Sequence, residues 1–151
     1  MPALEILPAE VADRAWAAQL MARSEPWLTL GRTLEGCRRV CGNPDYPMYV
    51  ACLDGQPVGF ALVNRRGVVG SPYLATLAVD PAHRGQGIGT LLVAHVEDVF
   101  RHEAVHLFLC VSSFNPRALA LYRRLGYTQV GELPDYFIRG ASEYLMHKRL
   151  G

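Results

Sequence analysis

The chain is short of several things that would direct its function. It has almost no net charge, since 15 Lys+Arg stand against 14 Asp+Glu in 151 residues and leave +1. No basic block or stripe breaks that balance, which argues against nucleic acid as a partner. The four cysteines, Cys37, Cys41, Cys52 and Cys110, form no Cys-x-x-Cys pair and no disulfide framework. That is the usage of a reducing compartment. "MPALEIL" lacks both a charged n-region and a long apolar h-region, so no signal peptide is expected. No apolar run is long enough to span a bilayer, which argues against a membrane partner. There is no repeat, low-complexity segment or linker, and no metal is expected: His102 and His106 straddle a predicted helix end and strand start. These absences leave a cytoplasmic, soluble, single domain over residues 1–151, and its 50% apolar content supports one sizeable core.

What is present reads as alternating strands and helices. "ALEIL" (Ala3–Leu7) is a short strand. Pro8 to Ser24 reads as an amphipathic helix with Val11, Ala15, Ala18 and Ala22 on its apolar face. "SEPWLTLG" breaks it at Pro26. A second helix covers Thr33–Cys41, with Thr33 as N-cap and Gly42 as stop. "YPMYVACL" and "PVGFALVN" are strands either side of the hairpin signal Asp54-Gly55. Ser71–Asp80 is the next strand, and a glycine-rich stretch then opens a helix with Ile88, Leu91, Leu92, His95, Val96 and Val99 on one face. "HLFLCV" is a strand. Asn115 (N-cap), Pro116 (first turn) and Gly126 (stop) punctuate another helix. "YTQVGEL" and "SEYLMHKRL" close the chain as strands. This order predicts an α/β (α+β) fold: a mixed, mostly antiparallel sheet of about seven strands with helices on both faces. The crossover through the glycine-opened helix makes one strand pair parallel.

"HRGQGIGTLL" (His83–Leu92) carries the chemistry. Glycines before a helix let a ligand approach the backbone. The first helical N–H groups are unpartnered, the helix dipole adds positive character, and Arg84 adds a full charge. A pyrophosphate suits such a site. A dinucleotide fingerprint does not fit, because the third glycine arrives one residue early, and no Gly-Lys-Ser/Thr makes it a P-loop. A tight turn needing positive φ accounts for any one of these glycines, but less well for three in five residues.

"LAVDPAHRGQGIGTLLV" resembles the acetyl-CoA signature of the GNAT superfamily of N-acetyltransferases, through Arg84, Gly87 and Gly89. "NPRALALYRRLGY" resembles that family's second landmark, through Asn115, Ala118, Tyr122, Gly126 and Tyr127. Both motifs stand in the family's order, and the chain is similar in feel to the protein N-terminal and ribosomal-protein alanine acetyltransferases. The resemblance implies a GNAT-like fold and transfer of acetyl from acetyl-CoA to a primary amine by direct attack on the thioester. It implies that the pyrophosphate sits on Arg84, Gly85, Gln86, Gly87, Ile88, Gly89 and Thr90. The pantetheine arm would lie along the main chain of Leu77, Ala78 and Val79, with the acetyl carbonyl near the Val79 N–H, an oxyanion-type contact. Asn115 would contact the arm, although its N-cap role explains it equally well.

The resemblance makes Tyr122 the general acid for the leaving thiolate; it is also a core aromatic by its helical spacing with Ala118, Leu121 and Leu125. Arg123 and Arg124 lie near the phosphates or in solvent. The base is not assigned. Cys110 stands where relatives often carry Glu or His, and a buried thiol is a poor base for an amine. Tyr73 stands where some relatives have a tyrosine that assists deprotonation through water, or is a sheet aromatic. Glu25 and Glu35 are further candidates, or surface residues. His83 and His147 read as solvated or structural. Ser24–Gly31 and Leu133–Ala141 should wall the acceptor site, with Trp27 and Tyr136 as substrate contacts beside Phe137. The few carboxylates there, Glu25, Glu35, Glu132 and Asp135, disfavour a polyamine and leave a peptide N-terminus or a small amine. Two other readings remain open on the residues: a non-catalytic acyl-CoA sensor on the same fold, and a nucleotide-binding oxidoreductase. The resemblance leaves a homodimer open.

Overall fold

A computed structural model describes residues 3–151. In chain order the elements are β1 (Leu4–Pro8), α1 (Val11–Ala22), α2 (Leu34–Cys41), β2 (Met48–Leu53), β3 (Gln56–Val68), β4 (Ser71–Val79), α3 (Ile88–Phe100), β5 (His106–Ser112), α4 (Pro116–Arg124), β6 (Thr128–Pro134) and β7 (Ser142–Arg149). The strands form one seven-stranded sheet in the order β1-β2-β3-β4-β5-β7-β6. Every neighbouring pair is antiparallel except β4 and β5. This is the mixed sheet expected from the sequence, and α3 is the crossover that makes the parallel pair. The β2–β3 hairpin turns where Asp54 and Gly55 both take positive φ, 50° and 80°, as a two-residue turn between twisted strands requires. Thr33 caps α2 by accepting from the Gly36 N–H at 3.0 Å, and Asn115 caps α4 by accepting from the Ala118 N–H at 3.3 Å.

Each sheet face buries its own core. On one face α3 and α4 cover Leu74, Leu107, Leu109, Val111 and Met146; on the other α1 and α2 cover Met48, Phe60, Leu62 and Ala78. Leu74 and Ala78 have the same parity in β4 yet point into opposite cores. A bulge explains this: Leu62 pairs with Thr76 but Val63 pairs with Leu74, so Ala75 is left over. One extra residue exchanges the two faces of everything beyond it.

Two helix faces differ from the periodic reading. In α1 the buried residues are Ala17, Ala18, Leu20 and Met21, while Val11 is 87% exposed. The helix is turned roughly a quarter-turn from the stripe through Val11, Ala15, Ala18 and Ala22. Arg14 lies near the middle of the true face. Its guanidinium donates to the Cys41 and Asn43 carbonyls at 2.9 and 3.0 Å and to that of Tyr46 at 2.9 Å, which ties α1 to the end of α2. In α3 the buried set is Ile88, Leu92, Val93, Val96, Glu97 and Phe100, whereas Leu91 and Val99 are exposed. Here the inward group is a carboxylate. Glu97 accepts from the Tyr127 hydroxyl at 2.8 Å and from the Lys148 ammonium at 3.0 and 3.1 Å. Lys148 also donates to the Leu125 carbonyl at 2.7 Å, so one charged cluster joins α3, the end of α4 and β7. Apolar periodicity cannot register an inward carboxylate.

Removing Glu97 would leave the half-buried Lys148 ammonium without its counter-charge and the buried Tyr127 hydroxyl without its acceptor. Glu97→Ala should therefore destabilise the fold by about 3–5 kcal/mol. Urea denaturation checks this, and a loss below about 1 kcal/mol would show that the cluster is solvated in the native state.

Candidate active site

The parallel pair at the middle of the sheet is barely paired. β4 meets β5 only at Tyr73/Phe108 and Leu74/Leu109. The next residue is the bulged Ala75, and beyond it the strands part. The Asp80 N–H still reaches the Val58 carbonyl of β3 at 2.8 Å. By the alternation of an extended strand, the Val79 and Leu77 N–H groups then face away from β3, into the gap. The Val79 carbonyl accepts from Arg84 Nε at 3.3 Å, which places that strand edge beside the glycine loop.

The gap opens into a cleft of about 840 Å³ between β4, the N-terminus of α3 and the length of α4. At its α3 end the loop folds as the sequence implies. Gly85 and Gly87 take positive φ, 77° and 81°. Gly87 is the N-cap and brings no side chain, so the first N–H groups of α3 are uncapped. Gly89 is different. It is helical, and an added Cβ would meet Leu121, Val79 and Leu77 at an ordinary 3.8–4.0 Å. Neither φ nor packing demands glycine there. Its bare backbone keeps room open in the cleft. Arg84, Arg117 and Arg124 line the cleft with His83, whose Nδ1 is buried with no hydrogen-bond partner. Three guanidiniums, an uncapped helix start and an orphaned imidazole nitrogen suit a bound polyphosphate. Leu77, Ala78, Val79, Arg84, Gly85, Gly87, Ile88, Gly89, Thr90, Asn115 and Tyr122 all line this one cleft. Gln86 is exposed and outside its wall. Arg124 faces the cleft, and Arg123 is exposed outside it. Arg117, the second residue of α4 after the Asn115 cap, also lines the cleft, and no motif in the sequence marks it.

A second, narrower cavity of about 170 Å³ lies at the same split between β4 and β5, walled by Trp27, Leu30, Arg32, Tyr73, Cys110, Ser112, Phe137 and Glu143. Glu25, Leu77, Asn115, Ala118 and Tyr122 border both cavities, so the two meet at these residues. The Tyr122 ring is buried and stands edge-on to Tyr127, with ring centres 5.8 Å apart. Burial pushes its hydroxyl well above the ordinary tyrosine range, which keeps it a proton donor at neutral pH. Tyr73 and Cys110 are neighbours in the wall of this cavity. Burial raises both, and the Glu143 carboxylate nearby raises them further. Glu25 lies at the mouth, where the Thr29 hydroxyl and N–H donate to its two oxygens at 2.6 and 2.8 Å and hold it below the usual carboxylate range.

Other expected groups lie elsewhere. Tyr136 is 59% exposed and stands edge-on to Phe137, with ring centres 4.7 Å apart. Phe137, with Arg32 over its ring at 5.1 Å, takes the wall position. Glu35 is exposed and borders neither cavity. His147 is not free in solvent but bonded ring to ring with His106, 2.8 Å between nitrogens. Among the described residues no group of three His, Cys, Asp or Glu side chains is placed to hold a metal.

A sheet split at a parallel pair, with a glycine-opened helix at the split, defines an acyl-CoA acyltransferase architecture. Residues 10–127 match the acetyltransferase (GNAT) family. The N-alpha-acetyltransferase RimI of Mycobacterium tuberculosis is 33% identical over 138 residues, 89% of this chain and 82% of that protein. The ribosomal-protein-S18-alanine N-acetyltransferase from Escherichia coli superposes with a TM-score of 0.81 at 21% identity, covering 99% of this chain and 95% of the other. An aminoglycoside 6'-N-acetyltransferase complexed with coenzyme A superposes with a TM-score of 0.78 at 19% identity, covering 97% of each chain. The chain belongs to the GNAT acetyltransferase family and is an N-acetyltransferase that moves acetyl from acetyl-CoA to an amine.

Burial sets the reactivity of two cysteines, Cys110 in the cavity wall and Cys41 in the α1–α2 core. Burial pushes the Cys41 thiol up to about 12 and also raises Cys110. A raised thiol has less thiolate at a given pH, so both should alkylate more slowly than a free thiol, whose value is about 8.5. Iodoacetamide at pH 7.5 should leave Cys41 unmodified and label Cys110 slowly, with the Cys110 rate still climbing above pH 9. Peptide mass mapping reads this. Rapid labelling of Cys110 at pH 7 would instead mark a nucleophilic thiolate.

Proposed function

We propose that this enzyme acetylates the α-amino group of a peptide or protein N-terminus, and that residues 1–151 work as one domain. The narrow acceptor cavity carries the reading: it meets the cleft at Tyr122 and has aromatic walls, two carboxylates and one guanidinium. An ammonium suits Glu25 and Glu143. Arg32, held over Phe137 at the rim, is a donor for a peptide carbonyl. A polyamine would want a longer acidic trough. The names of the Mycobacterium tuberculosis and Escherichia coli relatives, an N-alpha-acetyltransferase and a ribosomal-protein alanine acetyltransferase, support the same acceptor.

In this reading the pyrophosphate of acetyl-CoA rests on the N–H groups of Gly85 to Thr90, flanked by Arg84, Arg117 and Arg124. The pantetheine arm completes β4 along Leu77 and Val79 as a surrogate strand. The Val79 N–H polarises the acetyl carbonyl. The amine nitrogen attacks the thioester carbon, a C–N bond forms and the C–S bond breaks. Tyr122 hands its proton to the departing sulfur, and the last proton lost by the nitrogen restores the tyrosine. Tyr73 and Cys110 stay protonated and help orient the amine. The four free cysteines and the absence of any membrane-length apolar helix among the described residues support work in the cytoplasm.

Thiol release from acetyl-CoA tests both the acceptor and the acid, with hexapeptides of varied first residue set against spermidine. Wild type should favour peptides. Tyr122→Phe should bind acetyl-CoA as wild type does and lose roughly 10²–10⁴-fold in kcat. Turnover with spermidine alone would refute the acceptor, and an unchanged kcat in the phenylalanine variant would remove Tyr122 from the chemistry.

A further inference from the structure

The acceptor must lose a proton before it can attack, because an α-amine with a value of about 7.7–8.0 is largely protonated at neutral pH. Most candidates in the cavity wall are unsuited to take it. Tyr73 and Cys110 are both held in their protonated forms. Tyr122 is a donor by the same logic. Arg32 has no lone pair to offer. Glu25 is a carboxylate, but Thr29 occupies both of its oxygens and weakens it as a base.

The remaining group is Glu143. It sits on β7 opposite Ser112 of β5. It is a carboxylate only 7% exposed, yet it lines the acceptor cavity with Tyr73 and Cys110. Its one hydrogen bond among the described residues is from the Ser112 hydroxyl to Oε2, at 2.6 Å. That bond fixes the side chain and leaves Oε1 free to accept. On β6 its neighbour across the ladder is Leu133, and the nearby Glu132 is engaged by the Ser142 hydroxyl at 2.6 Å. Burying a carboxylate without a cation is costly, and among the described residues no ion pair offsets the charge of Glu143. An incoming ammonium would supply the missing partner.

We infer that Glu143 is the general base: it holds the acceptor's ammonium, takes one proton from it, and is kept in place by Ser112. This rests on the amine-acceptor reading above. The proton balance closes. Glu143 receives the first proton and later releases it to solvent, while the second stays within the nitrogen–tyrosine–sulfur exchange. One proton is released per acetyl group transferred.

The test compares wild type, E143Q and E143D with an Ala-initiated hexapeptide and with n-butylamine, reading kcat from pH 6.5 to 9. Thermal stabilisation by acetyl-CoA is measured in parallel. The glutamine still accepts from Ser112, and all three proteins should be stabilised equally by acetyl-CoA. E143Q should lose about 10²–10⁴-fold in kcat at pH 6.5. With the peptide that deficit should shrink by at least tenfold towards pH 9, where water has already taken the α-amine's proton; with n-butylamine, an alkylamine still protonated at pH 9 as a lysine side chain is, it should persist. E143D should keep the shape of the wild-type profile at reduced rate. A wild-type kcat in E143Q, or a deficit with the peptide that is constant at every pH, overturns the inference; the second outcome marks a merely structural residue. Should E143Q fail to fold, E143D decides alone: a steepened, glutamine-like profile overturns the inference. Wild type that binds acetyl-CoA but acetylates neither amine overturns the acceptor reading and this inference with it.

Discussion

The parting of β4 from β5 after two paired residues is the constraint on which the site depends. A sheet interior normally satisfies its backbone by pairing, and each buried group left without a partner costs about 1–3 kcal/mol. Here the bulge at Ala75 ends the pairing and turns the next main-chain donors towards an open gap. Two cores hold the gap open from opposite faces, the α3–α4 core by packing Leu77 and Val79, the α1–α2 core by packing Ala78. A substrate with an extended amide arm is a natural way to satisfy such an edge. The same gap puts the start of α3, the wall of α4 and the Tyr122 hydroxyl within one cleft.

Charge is divided across the split. The cleft carries Arg84, Arg117 and Arg124 around an uncapped helix start, the narrower cavity carries Glu143 and Arg32, and Glu25 borders both. In the proposed reaction the polyanionic donor takes the cleft and the cationic acceptor the narrower cavity. Between them stand three groups held protonated by burial: Tyr122, Tyr73 and Cys110. In the proposed mechanism Tyr122 donates its proton at the junction and Glu143 accepts one in the narrower cavity. Behind the site, the Glu97–Tyr127–Lys148 cluster anchors Tyr127, against whose ring Tyr122 packs.

The donor half of the site was legible in the sequence because its physics is local. Positive-φ glycines, a helix start and an Asn-Pro cap are written within a few residues of one another, and the residues there converge on one cleft. The order of elements along the chain was legible for the same reason, through turn signals such as Asp54-Gly55; the β7-β6 exchange at the end of the sheet was not. Groups whose roles depend on register were not. Glu143 lies 31 residues from the serine that holds it, and nothing near it in the chain separates it from a surface carboxylate. Glu97 and Arg14 turned their helices away from the apolar stripes, since periodicity counts greasy residues and misses a satisfied charge. In the final loop the aromatic pair was visible, but which of Tyr136 and Phe137 faces inward is decided by the turn.

The central claim is that acetyl-CoA completes the open edge of β4. Amide hydrogen exchange, resolved by residue with and without acetyl-CoA, tests it most directly. The Leu77 and Val79 amides should exchange freely in the apo enzyme and become strongly protected on binding, along with the first amides of α3. Binding that protects the α3 amides while leaving Leu77 and Val79 unchanged would contradict the account.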